Sequence, residues 1–499
     1  MRWALPGPPP RRAAMSNDRF RPPTRLRQGL SMLLRALALI VLLALACQIH
    51  TPNLLRLRHV GVPALLLVAA TGLVWLGWRA RRQHVAVTPG APMRLRQAEA
   101  LMLALGLAAI MVITGQQAWQ WRQARTLVLQ ASGNEMALAM LGRHFIVGYR
   151  DFEEAAQLAT RGAIAGIYLS QANVTGRDPL HVRAEIMALQ LLRERHGLPP
   201  LIVAADQEGG HVQHMSPPLP SRPALSTLLT ADGLLAAEDA PPRLAAETLL
   251  AAYQQGQQQG ADLQALGINL NLGPVADLRP EAGRTATRDR HTRLDLRAIS
   301  HDPQTVAELS GAYMRGLASR QVGATLKHFP GLAGVAGDTH LHSARLDTPS
   351  AVLAERDWLP FRQGMTASGA IMLAHVVLGD VDAQQPASLS PAVVRLLRQD
   401  WGYQGLLMTD DLNMGAVYRP YGICAAALRA LGAGVDLLLV SYDPEQFYPA
   451  MACALQALQR GELQLPHTAQ THQRLVRLLN PAPVRAMAQR VAAHQGDAP

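Results

Sequence analysis

Two short segments in the second half of the chain combine residue types that can transfer protons. The first reads Leu326-Lys327-His328-Phe329-Pro330-Gly331, and the second reads Asp338-Thr339-His340. In an Asp-x-His pair, the carboxylate can hold one ring nitrogen while the other nitrogen exchanges a proton. Lys327 is the only lysine among 499 residues that include 46 arginines. We therefore predict that this position needs a compact ammonium, which the wide arginine fork cannot replace.

The elements that must position these residues follow a regular alternation. From Leu141 onward, short apolar runs alternate with helical patterns such as those at 306–318 and 391–399. The apolar runs that we interpret as strands are 144–149, 165–169, 201–205, 268–275, 322–326, 370–374, 405–408 and 435–440. This alternation predicts an α/β fold, a (β/α)8 TIM-type barrel. The alternative is an open doubly wound sheet, which the absence of Gly-x-Gly-x-x-Gly after the first strand disfavours.

Ionisable residues follow five of these strands in succession. They are Asp206, Asp277, Lys327 with His328, His375, and Asp410. Active sites of barrel enzymes are built at the C-terminal ends of the strands. We therefore expect these side chains to share one rim, and this pattern favours an enzyme.

The Lys-His-Phe-Pro-Gly segment, followed at this spacing by Asp-x-His, resembles glycoside hydrolase family 3 in its β-N-acetylglucosaminidase branch. The resemblance covers roughly residues 141–479. It implies a retaining glycosidase, in which one carboxylate attacks the anomeric carbon and a second group protonates the leaving oxygen. By this resemblance Asp338 and His340 form the acid/base pair on a loop, and Asp410 is the nucleophile. Asp411 is expected to point elsewhere and to cap the following helix.

Further motifs imply contacts with a sugar. Asp206 lies in a turn similar to the family's Asp-x-Glu-Gly-Gly, and Arg297 opens a segment similar to its Arg-Ser-Phe. Lys327 and His328 would complete a ring of donors around the sugar. The resemblance thus assigns these four residues to substrate binding.

Four other residues are less clearly assigned. Asp277 and His375 match family positions at the pocket wall, where a structural role is as well supported as direct contact. His211 and His214 occupy places where the family often has arginine, and we interpret them as surface residues.

One departure from the family lies on the loop itself. The family's Pro-Gly-His-Gly-Asp is replaced here by Pro-Gly-Leu-Ala-Gly at 330–334, and Ile299 replaces a phenylalanine. The proposed acid, its orienting carboxylate and the nucleophile are all present. The departure therefore concerns how the loop closes and which aglycone it covers.

The N-terminal part has a different character. Its apolar runs at 30–49, 60–78 and 98–115 each approach the roughly 20 residues that cross about 30 Å of hydrocarbon. A cleaved signal peptide is the alternative for the first run, and a buried soluble helix is the alternative for each. The predicted divisions are a disordered basic tail at 1–29, a membrane region at 30–116, a connector at 117–140, the hydrolase barrel at 141–482, and a C-terminal tail at 483–499.

The distribution of charge distinguishes the N-terminal part from the rest of the chain. The chain carries a net charge of +11, and residues 1–125 hold 17 arginines against two acids, so the remainder is mildly acidic. A basic face on the folded domain is therefore not expected, which disfavours nucleic-acid binding. Arginines concentrate before the first run and between the second and third. The positive-inside rule then predicts a multi-pass inner-membrane protein whose catalytic domain is extracytoplasmic.

The cysteines show no metal-ligand spacing, and no metal or organic cofactor is expected for a mechanism with two catalytic groups. We interpret Cys424 and Cys453 as buried free thiols, although pairing stays open. The resemblance favours removal of terminal β-linked N-acetylglucosamine from peptidoglycan fragments or related glycans. Alternatives are a family 3 β-glucosidase, or a phosphorylase, since a histidine acid/base adds no negative charge that would repel phosphate. A non-catalytic membrane sugar sensor is the third possibility.

Overall fold

The structure is a computed structural model that describes residues 24–83, 93–130, 132–229, 234–237, 240–280, 291–335, 337–466 and 468–479. The chain divides into two compact units, residues 1–120 and 121–499. Most of the predicted basic tail, part of the second arginine-rich loop and the predicted C-terminal tail lie outside the described residues. Residues 24–29, which were predicted to belong to the tail, already form the start of a helix.

Three long apolar helices make up most of the N-terminal region. They are α1 (Thr24–Gln48), α2 (Leu55–Gln83) and α3 (Met93–Leu129). By length and composition these helices provide three candidate membrane spans, at Gly29–Gln48, Pro52–Arg82 (which includes a 3-10 turn before α2) and Gln97–Leu129. Arg35 on α1 pairs with Glu99 on α3 at 2.7 Å.

The second unit is built on a closed barrel of eight parallel strands, as predicted. The strands are β1 (Phe145–Gly148), β2 (Gly166–Leu169), β3 (Ile202–Ala205), β4 (Leu270–Asn271), β5 (Gly323–Phe329), β6 (Ala370–Leu373), β7 (Leu406–Asp411) and β8 (Leu437–Val440). Each strand pairs with its neighbours in chain order, and β8 pairs with β1 to close the barrel.

Helices surround this barrel. They are α4 (Glu135–Gly142), α5 (Phe152–Thr160), α6 (Gln171–Val174), α7 (Pro179–Arg195), α8 (Ala246–Leu266), α9 (Leu294–Arg297), α10 (Pro303–Ala318), α11 (Ser350–Glu355), α12 (Leu359–Gly364), α13 (Pro391–Arg395, continued by a π-helical turn over Leu396–Asp400), α14 (Gly415–Ala433), α15 (Phe447–Gln459) and α16 (Thr468–Leu479).

Alternate strand residues enter two different cores. Ile146, Ile202 and Leu270 belong to the cluster that fills the barrel, whereas Phe145 and Val203 belong to the cluster beneath the helices. Strands buried on both faces read as continuous apolar runs, which is why the sequence showed runs and not strict alternation.

Three strands differ from the prediction by three residues or more at one end: the fourth, the fifth, and the seventh, which extends from the predicted 405–408 to Asp411 and so includes Asp410. The fourth is reduced to Leu270–Asn271 plus a single bridge from Val275 to Lys327, because Pro274 has no N–H to donate to a ladder. The fifth extends to Phe329, so Lys327 and His328 lie within the strand and do not follow it.

The cysteine prediction was wrong. Cys424 on α14 and Cys453 on α15 form a disulfide, with a Cα–Cα distance of 5.8 Å that suits such a bond. The sequence did not show that these two helices pack side by side. Cys47 is a free, exposed thiol.

Candidate active site

Two carboxylates at the barrel mouth are placed by strand periodicity. Ala204 and Met408 point into the barrel, and Asp206 and Asp410 lie two residues further along the chain. Because side chains two apart share a face of a strand, both carboxylates are directed to the mouth of the barrel. Asp411 lies on the opposite face of β7.

Lys327 lies at the centre of a buried charge network. Its Nζ is 2.5 Å from Asp206 Oδ1 and 2.6 Å from Glu208 Oε1, and its side chain is only 3% exposed. Arg297 donates two hydrogen bonds to Glu208, from Nε to Oε2 at 2.9 Å and from Nη2 to Oε1 at 2.7 Å. A single nitrogen therefore serves two carboxylates, and the planar fork of arginine serves one of them side-on.

Mutual attraction keeps these groups charged despite burial. Burial works against ionisation of Glu208, but Arg297 and Lys327 outweigh it and hold the pKa of Glu208 far below its ordinary value. Burial likewise opposes the charge on Lys327, and Asp206 with Glu208 still raises its pKa. The network thus presents fixed charges to the mouth of the barrel.

Tyr168, at the end of β2, extends the network. Its hydroxyl donates to Asp206 Oδ2 at 2.8 Å and lies 2.8 Å from His214 Nδ1. The interpretation of His214 as a surface residue was wrong, because its ring is half-buried against this tyrosine, whereas His211 is exposed as expected.

Asp277 fixes the end of β5 and the start of the following loop. Its Oδ2 accepts from the backbone N–H of His328 at 3.0 Å and lies 2.6 Å from His328 Nδ1. Its Oδ1 accepts from the N–H of Leu332 at 2.9 Å. Asp277 is fully buried, so the structure favours a positioning role over direct contact with a ligand.

The altered part of the loop is anchored by apolar packing. Leu332 and Val335 are both buried and join the hydrophobic core together with Leu294 of α9. Where the family has a polar residue, this chain therefore inserts a leucine beneath the loop.

The Asp-x-His pair lies further along the same loop. Asp338 Oδ1 accepts from the backbone N–H of His340 at 2.9 Å and lies 3.2 Å from His340 Nδ1. Since a carboxylate only accepts, Nδ1 carries the hydrogen and Nε2 is left for proton exchange. Burial opposes ionisation of Asp338, but hydrogen bonds from His291 and His340 lower its pKa, so the carboxylate is charged.

Asp410 is the penultimate residue of β7 and is half-buried. Burial would raise the pKa of its carboxyl, but His328, His375 and His340 together lower it. An ionised carboxylate surrounded by three imidazoles is suited to attack an electrophilic carbon.

The neighbours of Asp410 have structural tasks. Asp411 Oδ2 accepts from the Ser441 hydroxyl at 2.6 Å, and Oδ1 accepts from the Asn413 N–H at 3.0 Å. Asp411 therefore joins the ends of β7 and β8, and the prediction that it caps the next helix was wrong. His375 uses both ring nitrogens, at 2.7 Å from Ser388 Oγ and 2.9 Å from the Asp411 carbonyl.

The loop is bound to the start of α14, the helix that follows β7. Immediately after β7, the N–H of Gly415 donates to the carbonyl of His340 at 2.8 Å, and the N–H of Ala416 donates to that of Thr339 at 3.2 Å. Burial lowers the pKa of His375, while Asp410 raises it and His340 lowers it further, so these three side chains lie within electrostatic range of one another.

Sequence reasoning missed three residues of this site, namely Glu208, Tyr168 and His291. Glu208 carried a signal, because it is the second acid of the turn that holds Asp206. Tyr168 is hidden in an apolar strand. His291 contacts a carboxylate 47 residues away and had no local signal.

A barrel of this type, with ionisable groups converging on the C-terminal ends of its strands, defines the chain as an enzyme of the (β/α)8 class. Residues 128–478 match the glycosyl hydrolase family 3 N-terminal domain. The chain belongs to this family and is an O-glycosyl hydrolase.

Proteins of similar sequence are named β-hexosaminidases. A β-hexosaminidase of Stenotrophomonas maltophilia (strain R551-3) is 34% identical over 282 residues, covering 56% of this chain and 77% of the relative. One from Xanthomonas axonopodis pv. citri (strain 306) is 35% identical over 306 residues, covering 60% and 82%.

Solved structures are also similar. A family 3 β-N-acetylglucosaminidase from Paenibacillus sp. str. FPU-7 has a TM-score of 0.59 and 28% identity, covering 70% of this chain and 63% of its own. A β-N-acetylhexosaminidase from Beutenbergia cavernae DSM 12333 has a TM-score of 0.58 and 26% identity, covering 69% and 97%.

Proposed function

We propose that this protein is a retaining β-N-acetylglucosaminidase that removes terminal N-acetylglucosamine through a covalent glycosyl-aspartate. The observation that carries the proposal is the Asp338–His340 pair, tethered by backbone bonds to the helix that follows the Asp410 strand. The relatives named β-hexosaminidase and β-N-acetylglucosaminidase support the choice of sugar.

In the first step the ionised Asp410 attacks the anomeric carbon, and protonated His340 gives its Nε2 proton to the departing glycosidic oxygen. In the second step neutral His340 takes a proton from water, which attacks the same carbon and releases Asp410. Asp338 stabilises the imidazolium that forms in each cycle. Lys327 and Arg297 would bind sugar hydroxyls in concert with Asp206.

We further propose that the barrel lies outside the cytoplasmic membrane, anchored by the three N-terminal helices. Two observations support this location: the arginine distribution around the spans, and the Cys424–Cys453 disulfide, which persists in oxidising compartments. Glycans of the cell wall, such as peptidoglycan fragments, would then be the accessible substrates.

The reaction is tested with the full chain in detergent, on an aryl β-N-acetylglucosaminide and the matching aryl β-glucoside, each with and without phosphate. We expect cleavage of the first substrate with release of free sugar in both buffers. Preference for the glucoside would contradict the sugar assignment, and a glycosyl phosphate product would define a phosphorylase. Binding without turnover on every substrate would favour the sensor.

The covalent step is tested with a 5-fluoro N-acetylglucosaminyl fluoride, which slows release of the glycosyl-enzyme. Peptide mass spectrometry should locate the added sugar on Asp410. Labelling of another carboxylate would overturn the nucleophile assignment while leaving the glycosidase activity in place.

A further inference from the structure

A second histidine shares the carboxylate of the proposed acid/base pair. His291 comes from the segment before α9 and not from the loop that carries Asp338. Its backbone N–H donates to Asp338 Oδ2 at 3.1 Å, and its Nδ1 lies 2.6 Å from the same oxygen. The His291 and His340 rings are 5.7 Å apart between centroids.

Each of the two histidines binds a different oxygen of the Asp338 carboxylate. His340 binds Oδ1 and His291 binds Oδ2, each through its backbone N–H and its Nδ1. Because the carboxylate donates no hydrogen, both Nδ1 atoms carry one and both Nε2 atoms are left uncommitted by Asp338. Asp338 is 3% exposed, whereas the side chains of His291 and His340 are 52% and 41% exposed.

We propose that His291 is a positioning residue of the acid/base machinery. It orients Asp338 and weakens the attraction of Asp338 for the proton on His340. This inference rests on the proposed glycosidase function. Every donor to a carboxylate lowers its basicity, so the bond from His291 weakens the attraction between Asp338 and the His340 imidazolium. His340 must release its proton in the first step and recover one in the second, so a weaker attraction from Asp338 makes the release easier.

The backbone beside His291 is bound by an arginine of the buried charge network. Arg297, which grips Glu208, donates through Nη1 to the carbonyl of Thr292 at 2.8 Å. Thr292 follows His291 directly. The Arg297–Thr292 and His291–Asp338 bonds thus connect the buried network to the carboxylate through two adjacent backbone positions.

The charges around this array are few among the described residues. Asp338 is faced by His291 and His340, and the electrostatic neighbours of His340 include Asp410 and His375. On the segment that bears His291, the charged side chains that follow it are Arg293 and Asp295, which pair with each other at 3.7 Å, whereas Arg290 directly before it lies outside the described residues. Because His291 and His340 bind the same carboxylate, we expect loss of His291 to act on His340 through Asp338.

The test compares His291→Ala with His291→Gln in the full chain, using pH profiles of kcat/KM on an aryl N-acetylglucosaminide with a basic leaving group. Loss of the donor makes Asp338 more basic, and loss of any positive charge on His291 acts in the same direction. We expect His291→Ala to move the alkaline limb up by about half a pH unit and to lower the maximum about tenfold. His291→Gln, which retains an N–H donor, should show smaller changes in both.

A matched control is His301→Gln, which removes an exposed histidine from the segment after Arg297 and should leave the profile unchanged. A rate loss without a shift of the limb, or an equal loss on a dinitrophenyl substrate, would reduce His291 to a structural role and overturn the inference. Unchanged pH profiles in active His291 variants would refute this inference and leave the proposed function in place. An inactive wild type would refute the proposed function and this inference together.

Discussion

The backbone N–H of Gly415 donates to the backbone carbonyl of His340 at 2.8 Å, so the residue that begins α14 holds the loop bearing the proposed acid. A Cβ at Gly415 would lie 2.7 Å from that carbonyl oxygen and 2.7 Å from that of Leu341. Glycine is thus required where the loop docks against the helix.

Replacing Gly415 with alanine should displace the loop because the added methyl group overlaps two backbone oxygens. We expect kcat to fall at least tenfold, since misplacing a catalytic group by about 1 Å costs about a hundredfold. The matched control is Gly432→Ala in the same helix, where a Cβ meets nothing within 4 Å. It should keep full activity and unfold at an equal or higher temperature. Equal kinetics in both variants would contradict the docking argument.

Lys327→Arg keeps the charge but enlarges the head group between two carboxylates. The side chain is buried and its ammonium contacts both Asp206 and Glu208, so a planar fork cannot reproduce both contacts. We expect kcat/KM to fall tenfold or more with the fold intact, since a hydrogen bond to a charged group contributes about 1.5–3 kcal/mol. Circular dichroism checks the fold, and Arg195→Lys on the exposed face of α7 is the control. Unchanged kinetics would show that the single lysine reflects composition alone.

The roles of His340 and Asp410 separate along a series of leaving groups. Asp410→Ala removes the covalent path, so every aryl N-acetylglucosaminide should lose activity. His340→Ala should be severe with basic leaving groups and mild for glycosylation from a dinitrophenyl substrate, whose oxygen needs no proton. Asp338→Asn should behave as a weaker His340→Ala. Equal losses for His340→Ala across the series would remove His340 from the role of general acid.

Stability should respond to acid through Glu208. Its folded-state pKa lies below the ordinary value of 4.5, so its contribution is present above pH 4.5 and is lost as pH falls toward the folded pKa. Glu208→Gln should destabilise the protein by about 3–5 kcal/mol at pH 7, because Lys327 and Arg297 lose a buried partner. Thermal melts should show this difference shrinking below pH 4.5. Glu462→Gln, in an exposed pair with Arg460, should have little effect at any pH. A constant difference at all pH values would contradict the assigned ionisation.

The proposed topology predicts the redox state of the α14–α15 disulfide in cells. In a Cys47→Ala background only Cys424 and Cys453 can react with a membrane-impermeant maleimide. We expect labelling of intact spheroplasts only after reduction, and a reporter fused after residue 125 should behave as extracytoplasmic. No labelling of intact spheroplasts even after reduction, followed by labelling once they are lysed, or a reporter active only in the cytoplasm, would place the barrel on the other side. Labelling of intact spheroplasts without reductant would contradict the disulfide instead.

The barrel was predictable from sequence because each strand is a short apolar run followed by a helical pattern, and the period of two fixed the direction of Asp206 and Asp410. The Lys327 and Asp338 motifs were local and therefore visible. Pairings across the chain were not, which is why the bond from His291 to Asp338 and the Cys424–Cys453 disulfide escaped. The misjudged ends of β4 and β5 followed from Pro274 and from pairing that continues through Lys327.

The solitary lysine also gives the protein a built-in reporter of its own unfolding. An endoprotease that cleaves only after lysine has a single target in the whole chain, the bond between Lys327 and His328, and that bond is buried at the end of β5. The folded enzyme should therefore resist such a protease, and each opening of the barrel should release one pair of fragments, 1–327 and 328–499. Amine-directed reagents, in turn, should leave the buried Lys327 unmodified in the folded protein. Cleavage kinetics at one bond would thus measure the free energy of opening at the active site itself.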